Sequence, residues 1–264
     1  MELSKILAHS QYLRFKERSV SVEGWFTDMS AALFDAFMSF QKARGTGGDF
    51  LEIGIAYGKA ALMLAAHGAP GDVVRLVDCS EAQVAGTTAL VQGTTQSRVE
   101  GIFGFSEALP HDLFPSRATR FMHIDGDHGR WALHNDLDIA HRTLGADGMV
   151  ALDDFLAPQF IGVTIGAIEW MTRNPEAFEM VLVGFNKAYL VRPRVAMDYY
   201  VFIRDMLPGF FRSLDLHDFT FSRTDVARAC GTFGLTARQF DLDILTRERA
   251  MGLPEVLVEG KIVI

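Results

Sequence analysis

The chain has 264 residues, 49% of them hydrophobic, with 25 Lys and Arg against 33 Asp and Glu. That length and apolar content suit one large α/β domain, or one domain with an appendage, and exclude a disordered polypeptide. The excess of 8 negative charges argues against a dedicated nucleic-acid binder, whose phosphate contacts need Lys and Arg.

The two cysteines, Cys79 and Cys230, form no C-x-x-C pair, which speaks against a disulfide scaffold or a thiolate zinc site. No apolar stretch reaches the ~18 residues of a membrane span. The segment from Met1 to Phe15 carries Glu2, Lys5, His9 and Arg14 rather than an apolar signal core, so the expectation is a soluble cytoplasmic protein.

In chain order, Phe26, Met29, Leu33, Phe37 and Phe40 recur at helical spacing, and Gly45, Gly47 and Gly48 end that helix. Asp49 to Ile53 reads as a strand, Gly54 as a turn, and Lys59 to His67 as a helix closed by Gly68. Val73 to Val77 is a strand ending at Asp78. Glu81 to Val91 is a helix, Arg98 to Phe103 a strand, and Phe121 to Ile124 a strand ending at Asp125. Arg130 to Leu144 is a helix with Leu133, Leu137, Ala140 and Leu144 on one face. Met149 to Leu152 is a strand ending at Asp153 and Asp154, and Ile161 to Arg173 is a helix. Glu179 to Val183 and Ala188 to Val191 flank a tight turn.

Strands alternating with helices imply a doubly wound, mostly parallel α/β sheet covered on both faces. The final pair, joined by so short a turn, is antiparallel. Three parts are expected: an N-terminal helical segment (1–48), a core (49–194) and a C-terminal extension (195–264). In the extension, Tyr199 to Phe211 reads as a helix up to Pro208-Gly209. Phe219 to Phe221 and Val256 to Val258 are candidate short strands. Ligands of such sheets bind beyond the carboxyl ends of the strands, where Glu52, Asp78, Asp125, Asp153 and Asp154 all fall.

The run Leu51-Glu52-Ile53-Gly54-Ile55-Ala56-Tyr57-Gly58 follows a strand and opens a helix, so its glycines let a ligand approach the backbone. Its G-x-x-x-G spacing differs from the dinucleotide fingerprint. Glu52 would repel a pyrophosphate and suits a ligand with an ammonium group. Asp78, at the next strand end, stands where a carboxylate accepts ribose hydroxyls. Together they point to a nucleoside cofactor with a cationic tail.

On these residues the chain resembles the class I S-adenosylmethionine-dependent methyltransferases, which build their core on a seven-stranded sheet. The resemblance assigns Glu52, Gly54, Tyr57 and Gly58 to the methionine end of the cofactor and Asp78 to the ribose. Ser106, in Ser106-Glu107 after the third strand, falls near the adenine, and Asp125 at the cofactor's edge. Ala60 departs from the Ser or Thr of many relatives.

A second constellation joins Asp125, Asp127 and His128 after the fourth strand to Asp153 and Asp154 after the fifth. If the fourth and fifth strands are neighbours, their ends lie about 4.8 Å apart and these carboxylates converge. Like charges that close need something positive between them. A divalent cation, Mg²⁺ or Mn²⁺ by its oxygen ligands, is the simple expectation. His128 is then placed to take a proton from a substrate hydroxyl. Read singly, the pieces are also an ordinary helix cap and an Asp-Gly-Asp turn.

The spacing is similar to that of metal-dependent O-methyltransferases, and Gly24-Trp25 to a small bacterial methyltransferase family. The resemblance implies Asp125, Asp153 and Asp154 as metal ligands, with Asp127 a substitute for Asp125, and His128 as base beside a catalytic Asp125. The expected reaction is methyl transfer to a hydroxyl of a sugar or phenol-like small molecule. Alternatives are a metal-independent enzyme acting on N or C and a non-catalytic module retaining the fold. His123 reads as a satisfied core residue, and His134 and His141 as solvated or capping. Phe155, Phe160 and Tyr199-Tyr200 read equally as acceptor lining or packing. The extension is a candidate oligomer interface.

Overall fold

The computed structural model describes residues 1–110, 112–222 and 231–237. Two short helices, α1 (Leu3–Leu7) and α2 (Tyr12–Ser19), precede α3 (Asp28–Ala43). The buried Asp35 carboxylate of α3 ties them down. It accepts from Ser10 Oγ at 2.5 Å and from the Gln11 N–H at 2.6 Å, and it faces His67 Nε2 at 2.7 Å. Thr27 caps α3 by accepting from the Ser30 N–H, so the helix starts just after Phe26 rather than at it.

The expected alternation follows: β1 (Asp49–Ile53), α4 (Lys59–Ala66), β2 (Val73–Asp78), α5 (Glu81–Gln92), β3 (Arg98–Phe103), β4 (Thr119–Ile124), α6 (Arg130–Thr143), β5 (Leu144–Leu152), α7 (Ile161–Arg173), β6 (Glu179–Gly184) and β7 (Lys187–Val191). The described residues continue with α8 (Pro193–Asp205), α9 (Leu207–Ser213), β8 (Thr220–Ser222) and β9 (Phe233–Thr236). No described helix is long and apolar enough to cross a membrane.

The strands form one sheet in the order β3-β2-β1-β4-β5-β7-β6-β9-β8. Among the described residues it has nine strands where seven were expected, because the extension adds β9 parallel to β6 and β8 antiparallel to β9. The reversed strand β7 therefore lies inside the sheet, between β5 and β6, and β8 is a second reversed strand. One face packs on α1 to α3, α4, α8 and α9, around rings such as Phe34, Phe37, Phe40 and Phe202. The other packs on α6 and α7, through Leu133, Leu137, Val163 and Trp170.

Pro208-Gly209 does not end a helix. Pro208 sits in the first turn of α9, where its missing N–H costs nothing and its fixed φ favours a start. The Val256 to Val258 candidate strand lies outside the described residues.

Register sets the site. Ile53 pairs with Ile124, Ile124 with Leu152, and Leu152 with Ala188. Gly54, Asp125, Asp153 and Lys187 therefore emerge at one level, at the crevice where the strand order switches between β1 and β4.

Candidate functional site

A cleft of about 580 Å³ opens at these strand ends, a volume that suits a small-molecule ligand. Its floor is the turn after β1. Gly54 has φ +82°, and a Cβ there would lie 1.9 Å from the Asp125 carbonyl oxygen, so no side chain fits. Gly58, at φ +84°, faces Thr87 Cγ2, 2.6 Å from where a Cβ would stand. Tyr57, Glu52, Gly54 and Asp125 line the cleft.

Asp78 shapes this turn from behind. One carboxylate oxygen accepts from the Ile55 and Ala56 N–H groups at 3.0 and 3.2 Å. The other accepts from the Ser80 N–H at 2.9 Å. Neither Asp78 nor Ser106 is part of the cleft lining. Ser106 is buried and accepts from Asn135 Nδ2 at 3.4 Å.

Four charged side chains run in a line through the cleft wall. Glu52 and His123 are register partners on β1 and β4, and His123 Nδ1 lies 2.9 Å from Glu52 Oε1. Its Nε2 lies 3.1 Å from Asp153 Oδ2. Lys187 Nζ then donates to both oxygens of Asp153, each at 2.6 Å. Burial alone would lower the His123 pKa, but its bonds to Asp153 and Glu52 outweigh that and raise it to about 10. Burial likewise opposes ionisation of Asp153, yet the His123 hydrogen bond and the Lys187 charge hold its pKa well below the ordinary range.

His123 is thus core, as its strand position implied, but it belongs to the site. The sequence reading placed Lys187 only in the tight turn of residues 184–187 and gave it no role in the site. It is 34 residues beyond Asp153, and only the return of β7 beside β5 brings the two together.

Nearer the rim, His128 Nε2 lies 2.9 Å from Asp154 Oδ2 and 3.9 Å from Asp125 Oδ1. Phe160 stacks on the imidazole, with centroids 3.9 Å apart and planes 18° from parallel. Asn186 Nδ2 donates to Asp154 Oδ1. Asp125, and then Asp154, hold the His128 pKa above its ordinary value against partial burial. Asp154, Leu156, Phe185 and Asn186 all take positive φ here. Such left-handed non-glycine residues are sparse in proteins and concentrate at functional sites.

Asp127 is exposed and accepts from the Gly129 N–H at 2.6 Å, so it makes the turn and joins neither carboxylate group. His134 is buried, not solvated, and bonds the Gly166 carbonyl at 3.1 Å, which ties α6 to α7. His141 is exposed, with Nδ1 3.0 Å from Arg192 Nη1. Tyr199 is buried packing, hydrogen-bonded to Gln41, and Phe155 is buried as well.

A cofactor with an ammonium tail fits. Glu52 lines the cleft, and its buried Oε2 has no partner, an acceptor such a group would satisfy. A divalent ion fits less well. Two groups, His123-Asp125-Asp153 and Asp125-His128-Asp154, offer ligand atoms within 4.8 Å of one another. In the first, Asp153 already faces two cationic groups, Lys187 and His123. In the second, His128 Nε2 already lies 2.9 Å from Asp154 Oδ2. The set Asp125, Asp153 and Asp154 is therefore not open to a metal as the side chains stand, and the convergence of carboxylates is answered from within the chain.

Residues 51–155 match the family model described as a methyltransferase domain. No curated protein matches the chain by sequence. Among solved structures, the O-methyltransferase NovP aligns with a TM-score of 0.53 at 14% identity, covering 64% of this chain and 83% of its own. A Corynebacterium glutamicum protein aligns at 0.52 and 16% identity, covering 69% and 88%. A TDP-rhamnose 3′-O-methyltransferase of calicheamicin biosynthesis aligns at 0.50 and 14% identity, covering 72% and 91%. At these identities the likeness is one of fold.

Proposed function

We propose that the chain is an S-adenosylmethionine-dependent methyltransferase, a reading supported by the match of residues 51–155 to a methyltransferase domain, and that it methylates a hydroxyl of a small molecule, a sugar or a phenol-like ring, with His128 as general base. The observation that carries this reading is the His128-Asp154 pair on the rim of the cleft. A base oriented by a carboxylate and held by a stacked ring is what an oxygen nucleophile needs.

The bound cofactor would supply an electrophilic methyl group on a sulfonium centre and leave as S-adenosylhomocysteine. Glu52 Oε2 would accept from its ammonium group. The turn from Gly54 to Gly58 would take its backbone close. Asp78 holds that turn in shape, and any ribose contact it makes would share the same carboxylate. At the acceptor, His128 would take the hydroxyl proton while Asp154, 2.9 Å from its Nε2, orients the ring. The cofactor's methyl group would pass to that oxygen, with the C–S electron pair left on sulfur. Trp25, Phe26, Tyr57, Phe160 and Phe185 line the same cleft and supply apolar surface for the acceptor and water exclusion. Most of the rate would come from holding the two reactants in line.

Two variants test this. His128→Ala should keep cofactor binding in calorimetry and lose about 100-fold or more in released S-adenosylhomocysteine, the usual scale of a lost general base. Full transfer by that variant would end the base role. Glu52→Gln should weaken cofactor affinity by about 10-fold to 100-fold, the worth of a charge-assisted hydrogen bond. An unchanged affinity would remove Glu52 from the cofactor site.

A further inference from the structure

We propose that Lys187 is the resident cation of this site: its ammonium holds the place at Asp153 that a divalent ion would need, and methyl transfer here runs without a metal. The inference rests on the methyltransferase reading for its consequence and on the geometry of Lys187 for its content.

The lysine is built in by the fold. The antiparallel register sets Leu152 opposite Ala188, so the residue before Ala188 faces the residue after Leu152, which is Asp153. The Phe185-Asn186 turn, with φ of 49° and 66°, returns the chain at that height. The Lys187 side chain is 4% exposed. Its Nζ lies 2.6 Å from each Asp153 oxygen and 5.8 Å from the centroid of the Phe26 ring.

The other side of Asp153 is taken by His123 Nε2. A divalent ion reaching Asp153 would have to expel the ammonium toward the Phe26 ring. That would leave a buried cation without its partner, a penalty added to the ion's own dehydration. Two of the three ammonium hydrogens are committed to Asp153.

The transfer balances without an ion. The acceptor proton goes to His128, the C–O bond forms as the C–S bond breaks, and the electron pair remains on sulfur. The positive charge lost from the sulfonium is matched by the proton gained at His128.

The test is Mn²⁺ titration into the chelator-treated full chain, read by the EPR signal of the free ion. Wild type should leave the ion free. Lys187→Ala and Lys187→Met, each confirmed folded by circular dichroism, should take it up with an affinity about tenfold or more above wild type. Uptake by wild type that Asp153→Asn abolishes would overturn the proposal. Failure of both folded lysine variants to take up the ion would also overturn it, since Lys187 would not be what excludes the metal. Calorimetry with S-adenosylmethionine on the same chelator-treated protein separates the two readings. Lack of cofactor binding sinks the methyltransferase reading, whereas the Mn²⁺ result decides Lys187.

Discussion

Asp153 and Asp154 are consecutive residues of one type, and their surroundings drive them in opposite directions. Asp153 is the more enclosed, with 11% of its side chain exposed against 14%, yet it is held ionised well below the ordinary range by His123 and Lys187. Asp154 is pushed up by burial and by the Asp153 and Asp125 carboxylates, which outweigh the hydrogen bond from Asn186. The neighbouring charge, more than depth, decides which carboxylate is a fixed ion and which is responsive. One serves as an anchor in the cleft wall, and the other pairs with His128 at its rim.

The largest test of that contrast is stability. Lys187→Met removes one partner of a buried pair and should cost about 3 kcal/mol or more in urea unfolding. Asp154→Asn, at the rim, should stay within about 1 kcal/mol. Equal losses would erase the distinction between anchor and rim.

A smaller effect follows from His123. Its folded pKa of about 10 lies above the ordinary value of about 6.5. Its stabilising contribution is therefore complete below the unfolded pKa and fades as pH rises through the folded one. Denaturation midpoints of the ligand-free protein should fall between roughly pH 7 and 10, and His123→Gln should flatten that slope. A wild-type slope unchanged by the substitution would show that His123 is not the charged bridge.

The smallest effect concerns the rim. The base must be neutral to accept a proton, so kcat/KM should rise with pH through a His128 pKa above the ordinary value. Asp125→Asn removes the anion that contributes most to that shift, so the acid limb should move to lower pH. A limb that stays in place would mean that another group controls it.

Much of this site was legible along the chain. The glycine turn, Asp78 and the acids after β4 and β5 each follow a strand whose periodicity marks its end, and parallel neighbours must bring those ends to one level. Carboxylates this close call for a cation, and Asp153 has one in Lys187. Its identity was hidden, because Lys187 is the first residue of the reversed strand and its sequence neighbours, Asn186 and Ala188, read as a turn and a strand. His123 was visible as a buried strand residue, but its bonding was not. The signal that could have found it is positional: Glu52 and His123 are each the last residue but one of strands that turn out to be neighbours. The extension misled for a different reason. Pro208-Gly209 has the composition of a stop, and only the packing of α9 makes it a start.

By itself the sequence determined the order of strands and helices, the chemistry of the turn after β1 and the place of the acids at the strand ends, since these depend on local periodicity and on residues adjacent in the chain. Only the tertiary structure decided which charges face one another. Register between β5 and β7 set Lys187 against Asp153, register between β1 and β4 set His123 against Glu52, and the nine-strand sheet enclosed β7. Pairing of charges is a property of distance in space, and a lysine 34 residues away becomes the nearest cation only once the sheet has closed.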